Sequence, residues 1–265
     1  MNPLIDAVTV IVAEVARTVI LPRYKQLADG EVRAKTHAAD FVTIADEESE
    51  QALTERLTAL VPDAIVVGEE AVAADAAVLE RLFKHDPIWI VDPIDGTANF
   101  VHGNPAFGVM VAFVNKGRTE FGWIHDPLTG RTLWAARGQG AWLRTQDSEA
   151  RVNVPPSPRA LGAMSGAIYN RDLGPAKAKL GRFVRHGSAA HDYWALTDGR
   201  LQVLAYRRLK PWDHAAGVLI HAEAGGYSRL LSGLEYDPVA PDQSGLLCAP
   251  DREIWQEIQS IAAAQ

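Results

Sequence analysis

The most informative stretch of this sequence reads Trp-Ile-Val-Asp-Pro-Ile-Asp-Gly-Thr and covers residues 89–97. Its first three residues are apolar and predict a buried strand that ends at Asp92. Asp92 and Asp95 stand three residues apart across a proline-led turn, so their carboxylates can converge on one point. Gly96 permits a close backbone approach, and Thr97 adds a hydroxyl where a following helix can begin. Hard oxygen ligands of this kind suit Mg²⁺, which takes a few carboxylates and keeps places for water and phosphate.

Two more acidic groups stand at comparable places in the sequence. Glu69 and Glu70 follow the apolar run at residues 64–67, so their side chains lie beside Asp92 if the two strands are neighbours. Asp213 begins a helical run, where a carboxylate is also favoured simply as a helix cap. Each group alone also fits a turn, a solvated surface or a cap. Together they would repel one another strongly without a cation, and a bound metal ion removes that repulsion.

Length and composition are those of an ordinary globular enzyme. The chain has 265 residues and a net charge of −7, and its only basic run, residues 206–210, is short. A nucleic-acid partner is therefore not expected. The single cysteine, Cys248, excludes an intrachain disulfide. Charged residues interrupt the apolar N-terminus and no run reaches the length of a membrane span, so we expect a cytoplasmic protein with no membrane partner.

Hydrophobic periodicity predicts a chain in which helices and strands alternate. Helices are expected over about residues 3–28, from Thr43 onward, and over 171–180, 188–198, 213–224 and 251–263. Strands are expected over residues 64–67, 89–91, 107–114, 120–124, 132–135, 141–143, 182–185, 201–206 and 245–248, those of the first half as a meandering antiparallel sheet. Residues 31–40 are expected to form a polar hairpin or loop.

A cluster of prolines at residues 155–158 marks a boundary within the chain, because consecutive prolines continue neither a helix nor a central strand. It separates an N-terminal α+β half, residues 1–150, from a smaller C-terminal α/β half, residues 151–265. Glu69 and the stretch from Asp92 to Thr97 belong to the first half, and Asp213 belongs to the second. We treat the two halves as one compact catalytic unit.

Three motifs of this chain closely resemble the signatures of the inositol monophosphatase family, in the family's own order. They are Gly68-Glu69-Glu70, the stretch from Trp89 to Gly103, and Trp212-Asp213 followed by Glu223-Ala224-Gly225-Gly226. The resemblance covers about residues 4–262. It implies an α/β fold, a layered αβαβα sandwich of the inositol-monophosphatase and fructose-bisphosphatase type, with two sheets and helices between and outside them. It also implies a Mg²⁺-dependent, lithium-sensitive phosphatase that commonly forms a homodimer.

The resemblance further implies a set of metal ligands and a mechanism. A first Mg²⁺ would be held by Glu69, Asp92 and the backbone carbonyl of Ile94, and a second by Asp92, Asp95 and Asp213. A third, weaker Mg²⁺ is expected near Glu69. One ion would activate a water for attack without a covalent intermediate, and the other would neutralise charge on the leaving oxygen. Glu69 and Thr97 would steer or deprotonate this water, with Asp46 paired to Thr97.

Substrate contacts follow from the same resemblance. The backbone N–H groups of Gly96 and Thr97 would cradle the phosphate at a helix N-terminus, beside Asp95 and Asp213. A second element, Gly187-Ser188-Ala189, resembles the family's contact with the inositol ring, although Ser188 also fits a simple helix cap.

A mobile arm is also implied. Lys35 and Asp40 match a flexible segment that closes over the metals in this family. The alternative for Lys35 is an exposed, solvated lysine with no part in the site.

The chain departs from the family pattern where the leaving group binds. Inositol-preferring members carry a glutamate seven residues before the metal-binding aspartate, and this position is Tyr206 here, followed by Arg207 and Arg208. We therefore predict a substrate with a second anionic or otherwise different group, bound by Arg207 through paired hydrogen bonds. The alternative is that both arginines form surface ion pairs. The run from His191 to Trp194 is also unusual, and no role follows for it.

Three functions are compatible with these observations. The first is Mg²⁺-dependent hydrolysis of a small, inositol-phosphate-like monoester. The second is a relative specialised for fructose 1,6-bisphosphate, histidinol phosphate or 3′-phosphoadenosine nucleotides. The third is a regulatory protein that keeps the fold and binds a macromolecular partner, which the complete set of ligands argues against.

Overall fold

The computed structural model describes residues 2–28, 30–34, 41–170, 173–240 and 244–263. Within these ranges the α-helices are α1 (Pro3–Val15), α2 (Ile44–Leu60), α3 (Glu69–Ala74), α4 (Thr97–Val101), α5 (Gly174–Lys177), α6 (Ala189–Thr197), α7 (Pro211–Glu223) and α8 (Arg252–Ala263). A π-helical turn, Ala16–Ile20, and a 3₁₀ turn, Leu21–Arg23, extend α1. Two further 3₁₀ segments are Ala76–Phe83 and Leu161–Ala163.

The strands form a two-stranded hairpin and two larger sheets. The hairpin consists of β1 (Val32–Ala34) and β2 (Phe41–Thr43). The larger sheet consists of β3 (Ile65–Gly68), β4 (Ile88–Asp95), β5 (Gly108–Asn115), β6 (Arg118–Asp126), β7 (Arg131–Ala136), β8 (Gly140–Arg144) and β9 (Glu149–Val152). The smaller sheet consists of β10 (Ser165–Ile168), β11 (Arg182–Phe183), β12 (Val203–Arg208), β13 (Tyr227–Leu230) and β14 (Ser244–Ala249).

The seven-stranded sheet keeps sequence order from β3 to β9. Its strands meander antiparallel, as predicted, except that β3 and β4 run parallel. This exception matters for function, because the carboxyl ends of two adjacent parallel strands lie at the same edge of the sheet. Every residue of β4 is buried, since helices cover both of its faces. This burial explains why the first half of β4, residues 88–91, is a continuous apolar run rather than an alternating one.

The chain forms the predicted five layers. On one side of the seven-stranded sheet, α1 and α2 pack against β6 and β4. On its other side lie α6 and α7, which also contact β12 and β13 of the five-stranded sheet. Finally, α8 covers the outer face of the smaller sheet at β14 and packs against α5. The mixed α/β architecture, with helices between and outside two sheets, is therefore confirmed.

Several predicted boundaries were wrong. The first helix ends at Arg23 rather than at residue 28, because Tyr24 adopts an extended conformation and Lys25 a positive φ of 60°. The helix expected over 171–180 is only Gly174–Lys177 among the described residues. Three strands, β9, β10 and β13, were not predicted. They are four residues long, which is too short for a clear alternating pattern.

The two halves of the chain share the layer of helices between the sheets. The second half contributes α6 and α7, which pack against strands of the first half. The division after residue 150 remains a prediction.

None of the described helices combines the length and apolarity that a membrane span requires.

Candidate active site

Three carboxylates meet at the edge of the larger sheet where β3 and β4 end. Gly68 lies opposite Val91 in the parallel ladder, so the residues that follow, Glu69 and Asp92, come side by side. Asp213 joins them from the first turn of α7. Carboxylate oxygens of Glu69, Asp92 and Asp213 lie within 4.8 Å of one another. The structure thus assembles acidic residues from three distant segments, and their role as metal ligands stays a prediction.

Burial and mutual repulsion make ionised carboxylates unfavourable in this cluster. Burial first, and then repulsion from Glu69 and other neighbouring carboxylates, raise the pKa of Asp92 well above its usual value. The same two causes raise the pKa of Asp213 well above its usual value. A divalent cation between the carboxylates would offset both causes, because it supplies positive charge and replaces lost hydration.

The donor set fits a hard divalent cation. Asp92 Oδ1 is buried, and no hydrogen-bond partner for it is found in the part of the chain that the structure describes. A buried carboxylate oxygen without a partner is costly, so it points to a ligand. Three carboxylates offer only oxygen donors, which suit Mg²⁺ or Ca²⁺ better than the nitrogen and sulfur ligands typical of zinc.

Asp95 lies beside the cluster but is bound to the N-terminus of α6. It accepts hydrogen bonds from the backbone N–H groups of Ala189 at 3.0 Å and Ala190 at 2.8 Å, and from the hydroxyl of Ser188. Burial raises the pKa of Asp95 to about 6, and these hydrogen bonds limit the rise. Asp95 therefore links the metal-site turn to α6. If Asp95 also binds a metal ion, as predicted, it would do so through a carboxylate lone pair that these three hydrogen bonds leave free.

In the element Gly187-Ser188-Ala189, Ser188 caps a helix, which was the predicted alternative to contact with a substrate. Ser188 is the N-cap of α6, and its hydroxyl accepts the N–H of His191 at 3.2 Å. Ser188 and Ala189 also hold Asp95, as described above. Contact of this element with a substrate stays a prediction.

The pairing of Asp46 with Thr97 is present. Asp46 forms a capping box with Thr43 at the start of α2, where its Oδ2 accepts the Thr43 N–H at 2.8 Å. Its other oxygen, Oδ1, lies 3.1 Å from the Thr97 hydroxyl, which lies equally far from the carbonyl oxygen of Ile94. Because Asp46 is buried and anchored by Thr43, it holds the hydroxyl of Thr97 in a defined position at the start of α4.

A tight backbone turn follows β4 and packs closely against the loop before α6. Gly96 has a φ of 85°, and a Cβ there would lie 2.8 Å from the carbonyl oxygen of Ala106. The side-chain amide of Asn99 donates to the carbonyls of Ala106 at 2.7 Å and His186 at 2.8 Å. The turn after β4 is therefore fastened to the loop before α6, and a side chain at position 96 would break this arrangement.

Lys210 adds a positive charge that the sequence analysis missed. Its Nζ donates to Glu69 Oε1 at 3.3 Å. Burial alone would lower the pKa of Lys210, but attraction to Glu69 and Asp213 outweighs it and raises the pKa. The sequence did contain a signal for this contact: Lys210 stands three residues before Asp213, about one helical turn away, so its side chain can reach the same place.

A cavity adjoins the carboxylate cluster. It has a volume of about 490 Å³ and is lined by Tyr169, Tyr206, Arg207, Arg208, Lys210 and Asp213. The side chains of Arg207 and Arg208 form no ion pair with any carboxylate in the described part of the chain. The surface ion pairs offered as an alternative for these arginines are thus not found there. This cavity reaches Asp213, so it opens directly beside the carboxylate cluster.

Asp192 acquires a role that the sequence did not assign. Its side chain is fully buried on α6, and its two oxygens accept hydrogen bonds from the Tyr206 hydroxyl at 2.7 Å and from His186 Nδ1 at 2.6 Å. Tyr206 also stacks on Tyr169, with ring centroids 4.6 Å apart. Because its hydroxyl donates to Asp192, Tyr206 presents an aromatic ring and no carboxylate to the cavity.

The predicted mobile arm cannot be placed. Lys35 and Asp40 lie outside the residues that the structure describes.

Comparison with known proteins identifies relatives of this chain. A sequence model of the inositol monophosphatase family matches residues 2–265. The fructose-1,6-bisphosphatase/inositol-1-monophosphatase of Thermotoga maritima is 33% identical over 205 residues, which cover 77% of each chain. The Nus factor SuhB of Pasteurella multocida is 34% identical over 239 residues, 85% of this chain and 84% of that protein. A solved IMPase structure from Thermotoga maritima superposes with a TM-score of 0.81 at 27% identity, over 98% of this chain and 96% of that one.

Proposed function

This chain belongs to the inositol monophosphatase family, and from that premise we propose that it hydrolyses a small phosphate monoester with bound Mg²⁺. The observation that carries the proposal is the cluster of Glu69, Asp92 and Asp213, in which Asp92 is buried, the other two are half-buried, and a cation would offset the mutual repulsion. Asp95 and the carbonyl of Ile94 complete the proposed ligands of two ions, and a third, weaker ion would lie near Glu69.

The proposed chemistry is direct attack of water on phosphorus, without a covalent intermediate. Bound at these carboxylates, Mg²⁺ supplies Lewis-acid chemistry that lowers the pKa of water and neutralises developing negative charge. Thr97 and Glu69 orient the attacking water. Because the Thr97 hydroxyl can donate to Asp46, its oxygen can accept a hydrogen bond from the attacking water, whose proton would pass to the Glu69 carboxylate. The N–H groups of Gly96 and Thr97 bind the phosphate, the bond from phosphorus to the alcohol oxygen breaks, and the leaving alcohol oxygen takes a proton from solvent water.

For the substrate we propose a monoester whose leaving group carries a second anionic group. Three cationic side chains, Arg207, Arg208 and Lys210, line the cavity next to Asp213. Tyr206 stands where inositol-preferring members have a glutamate, and its hydroxyl donates to Asp192, so this position supplies no carboxylate for the hydroxyls of a neutral polyol. A sugar bisphosphate therefore suits this cavity better than inositol phosphate or the cationic histidinol phosphate. The Thermotoga maritima relative is named for both a bisphosphate and an inositol monophosphate, so its name does not choose between them, and 3′-phosphoadenosine nucleotides remain an alternative.

A second candidate function is a regulatory role through a macromolecular partner. The observation that favours it is the relative from Pasteurella multocida, which is named a Nus factor. The two functions are compatible in one protein. A homodimer, sensitivity to lithium and a cytoplasmic location are further parts of the proposal.

The proposal is tested by phosphate release from inositol 1-phosphate, fructose 1,6-bisphosphate, adenosine 3′,5′-bisphosphate and histidinol phosphate, with Mg²⁺ and with EDTA. Turnover should require Mg²⁺ and be lost in Asp213→Asn. Asp126→Asn is the matched control, because Asp126 is another buried carboxylate but caps a turn outside the cluster. No turnover on any ester, in a folded protein that binds Mg²⁺, would favour the regulatory function.

The substrate class is tested with Arg207→Ala. We expect kcat/KM to fall about tenfold or more on a bisphosphate, the value of a charge-assisted hydrogen bond of about 1.5 kcal/mol, and to change little on a monophosphate. Arg200→Ala controls for loss of an exposed arginine, since Arg200 pairs with Asp198 instead. An equal effect of Arg207→Ala on both substrate classes would refute the anionic leaving group.

A further inference from the structure

A buried carboxylate lies directly behind the predicted metal ligand Glu69. Glu50 sits on α2 with only 7% of its surface exposed. Its two oxygens accept the backbone N–H groups of Glu70 and Ala71, each at 2.7 Å. These are first-turn N–H groups of α3, the short helix that begins with Glu69. Glu50 therefore caps α3 from a different helix.

Gly68 is what makes this cap possible. It occupies the N-cap position of α3 and provides no side-chain hydrogen bond of its own. A Cβ on Gly68 would lie 2.2 Å from the carboxyl carbon of Glu50, so any other residue would displace the Glu50 carboxylate. The usual N-cap side chain, which would satisfy the same N–H groups, is thus replaced by a carboxylate from α2. This arrangement gives a physical reason for the glycine in the motif Gly68-Glu69-Glu70.

We propose that Glu50 is a positioning residue for the metal site, acting on Glu69 through the backbone of α3. The inference rests on the proposed Mg²⁺ site. Two charge-assisted hydrogen bonds hold the N–H groups that immediately follow Glu69, and so fix where its Cα lies and in which direction its side chain leaves the helix. α3 has only six residues, too few to hold its first turn by its own hydrogen bonds.

Loss of this cap has a predictable consequence. With the first turn of α3 released, Glu69 no longer stays within reach of Asp92 and Asp213, and a bound cation would lose one fixed ligand. Replacing residues that orient metal ligands commonly lowers metal affinity about 10- to 100-fold. We expect a change of this size for Glu50, although Glu50 itself lies behind α3 and contacts backbone N–H groups.

The test is metal binding by Glu50→Gln, measured without substrate by calorimetry with Mg²⁺ and by Mn²⁺ electron paramagnetic resonance. The carboxamide matches the carboxylate in size but keeps only one acceptor oxygen. Glu50→Asp keeps the charge but is one methylene shorter, so it separates geometry from charge. Glu55→Gln is the control, because Glu55 is an exposed carboxylate on the same helix. All variants are measured below their own unfolding midpoints.

We expect both Glu50 variants to bind metal 10- to 100-fold more weakly than the wild type, and Glu55→Gln to bind it equally well. The Mg²⁺ concentration for half-maximal activity should rise by the same factor. A variant that loses thermal stability yet binds metal with wild-type affinity would refute the positioning role and leave only a structural one. Because binding is measured without an ester, an error in the proposed substrate would leave this result intact, and absence of metal binding by the wild type would refute the Mg²⁺ site itself.

Discussion

The buried carboxylates make a sharp prediction for the metal-free protein. In EDTA, the wild type should lose stability relative to Asp95→Asn as the pH rises from about 4 to about 7. The pKa of Asp95 is raised by burial from 3.8 to about 6. A carboxyl with a raised pKa in the fold binds its proton more tightly when folded. Its favourable contribution is therefore fully present below about pH 4 and is lost as the pH rises through about 6.

The size of the effect follows from this shift. A difference of about two pKa units between the unfolded and folded states corresponds to about 3 kcal/mol, at 1.36 kcal/mol per unit. Asparagine has nearly the same shape as aspartate and does not titrate, so the difference between wild type and Asp95→Asn isolates the carboxyl. For a chain of this length, about 3 kcal/mol corresponds to a difference in Tm on the order of 6–12 °C.

The assay is urea unfolding of both proteins in EDTA at four values of pH between 3.5 and 7.5. Asp126→Asn serves as a control, because it removes a buried carboxylate that accepts two turn N–H groups outside the cluster. Mg²⁺ at 100 times its dissociation constant should then add about 2.7 kcal/mol to the wild type at pH 7.5. A free-energy gap between wild type and Asp95→Asn that is independent of pH, or that moves in the opposite direction, would refute our account of the buried carboxylates.

Two further predictions concern neighbouring residues. Tyr206→Phe should destabilise the fold by about 1–3 kcal/mol in urea unfolding, because it removes the 2.7 Å hydrogen bond to the buried Asp192; an unchanged unfolding midpoint would show that this bond is dispensable. Lys210→Met should increase the rise in Tm on adding Mg²⁺, since removing the cation beside Glu69 leaves more uncompensated negative charge for Mg²⁺ to neutralise. An equal rise in Tm for wild type and variant would contradict this explanation. Lys84→Met is the control, because Lys84 pairs with Glu80, away from the carboxylate cluster.

Local sequence was sufficient for the parts of the site that lie within one turn of the chain. The spacing of Asp92, Asp95 and Gly96 indicated an acidic turn after a buried strand; the turn lies at Gly96, but the predicted end of the strand at Asp92 was wrong, because β4 continues through an irregularity to Asp95. The capping box of Thr43 and Asp46 was also readable, because its two residues are three positions apart and each satisfies the other's backbone. Such features depend on backbone geometry over a few residues, which the side chains themselves specify.

The family resemblance extended this reading to contacts between segments, including the pairing of Asp46 with Thr97. It did not extend to residues outside the shared motifs. Glu50, Lys210 and Asp192 each contact the site, and none was recognised. Their side chains are ordinary for their positions, namely a charged helix residue, a basic loop residue and a helix residue near an N-cap.

Whether such a residue serves the site is decided only by tertiary structure. Glu50 meets the N–H groups of α3 across 20 residues of chain, and Lys210 meets Glu69 across 141. These contacts exist because β3 and β4 pair in parallel and because α2 and α7 pack on opposite faces of that sheet. The sequence by itself indicated the type of chemistry that we propose, since carboxylates in acidic turns favour a hard cation wherever they meet. The order of strands and the stacking of layers determined which of the 33 acidic residues meet, because that choice depends on packing between segments that have no pattern in common.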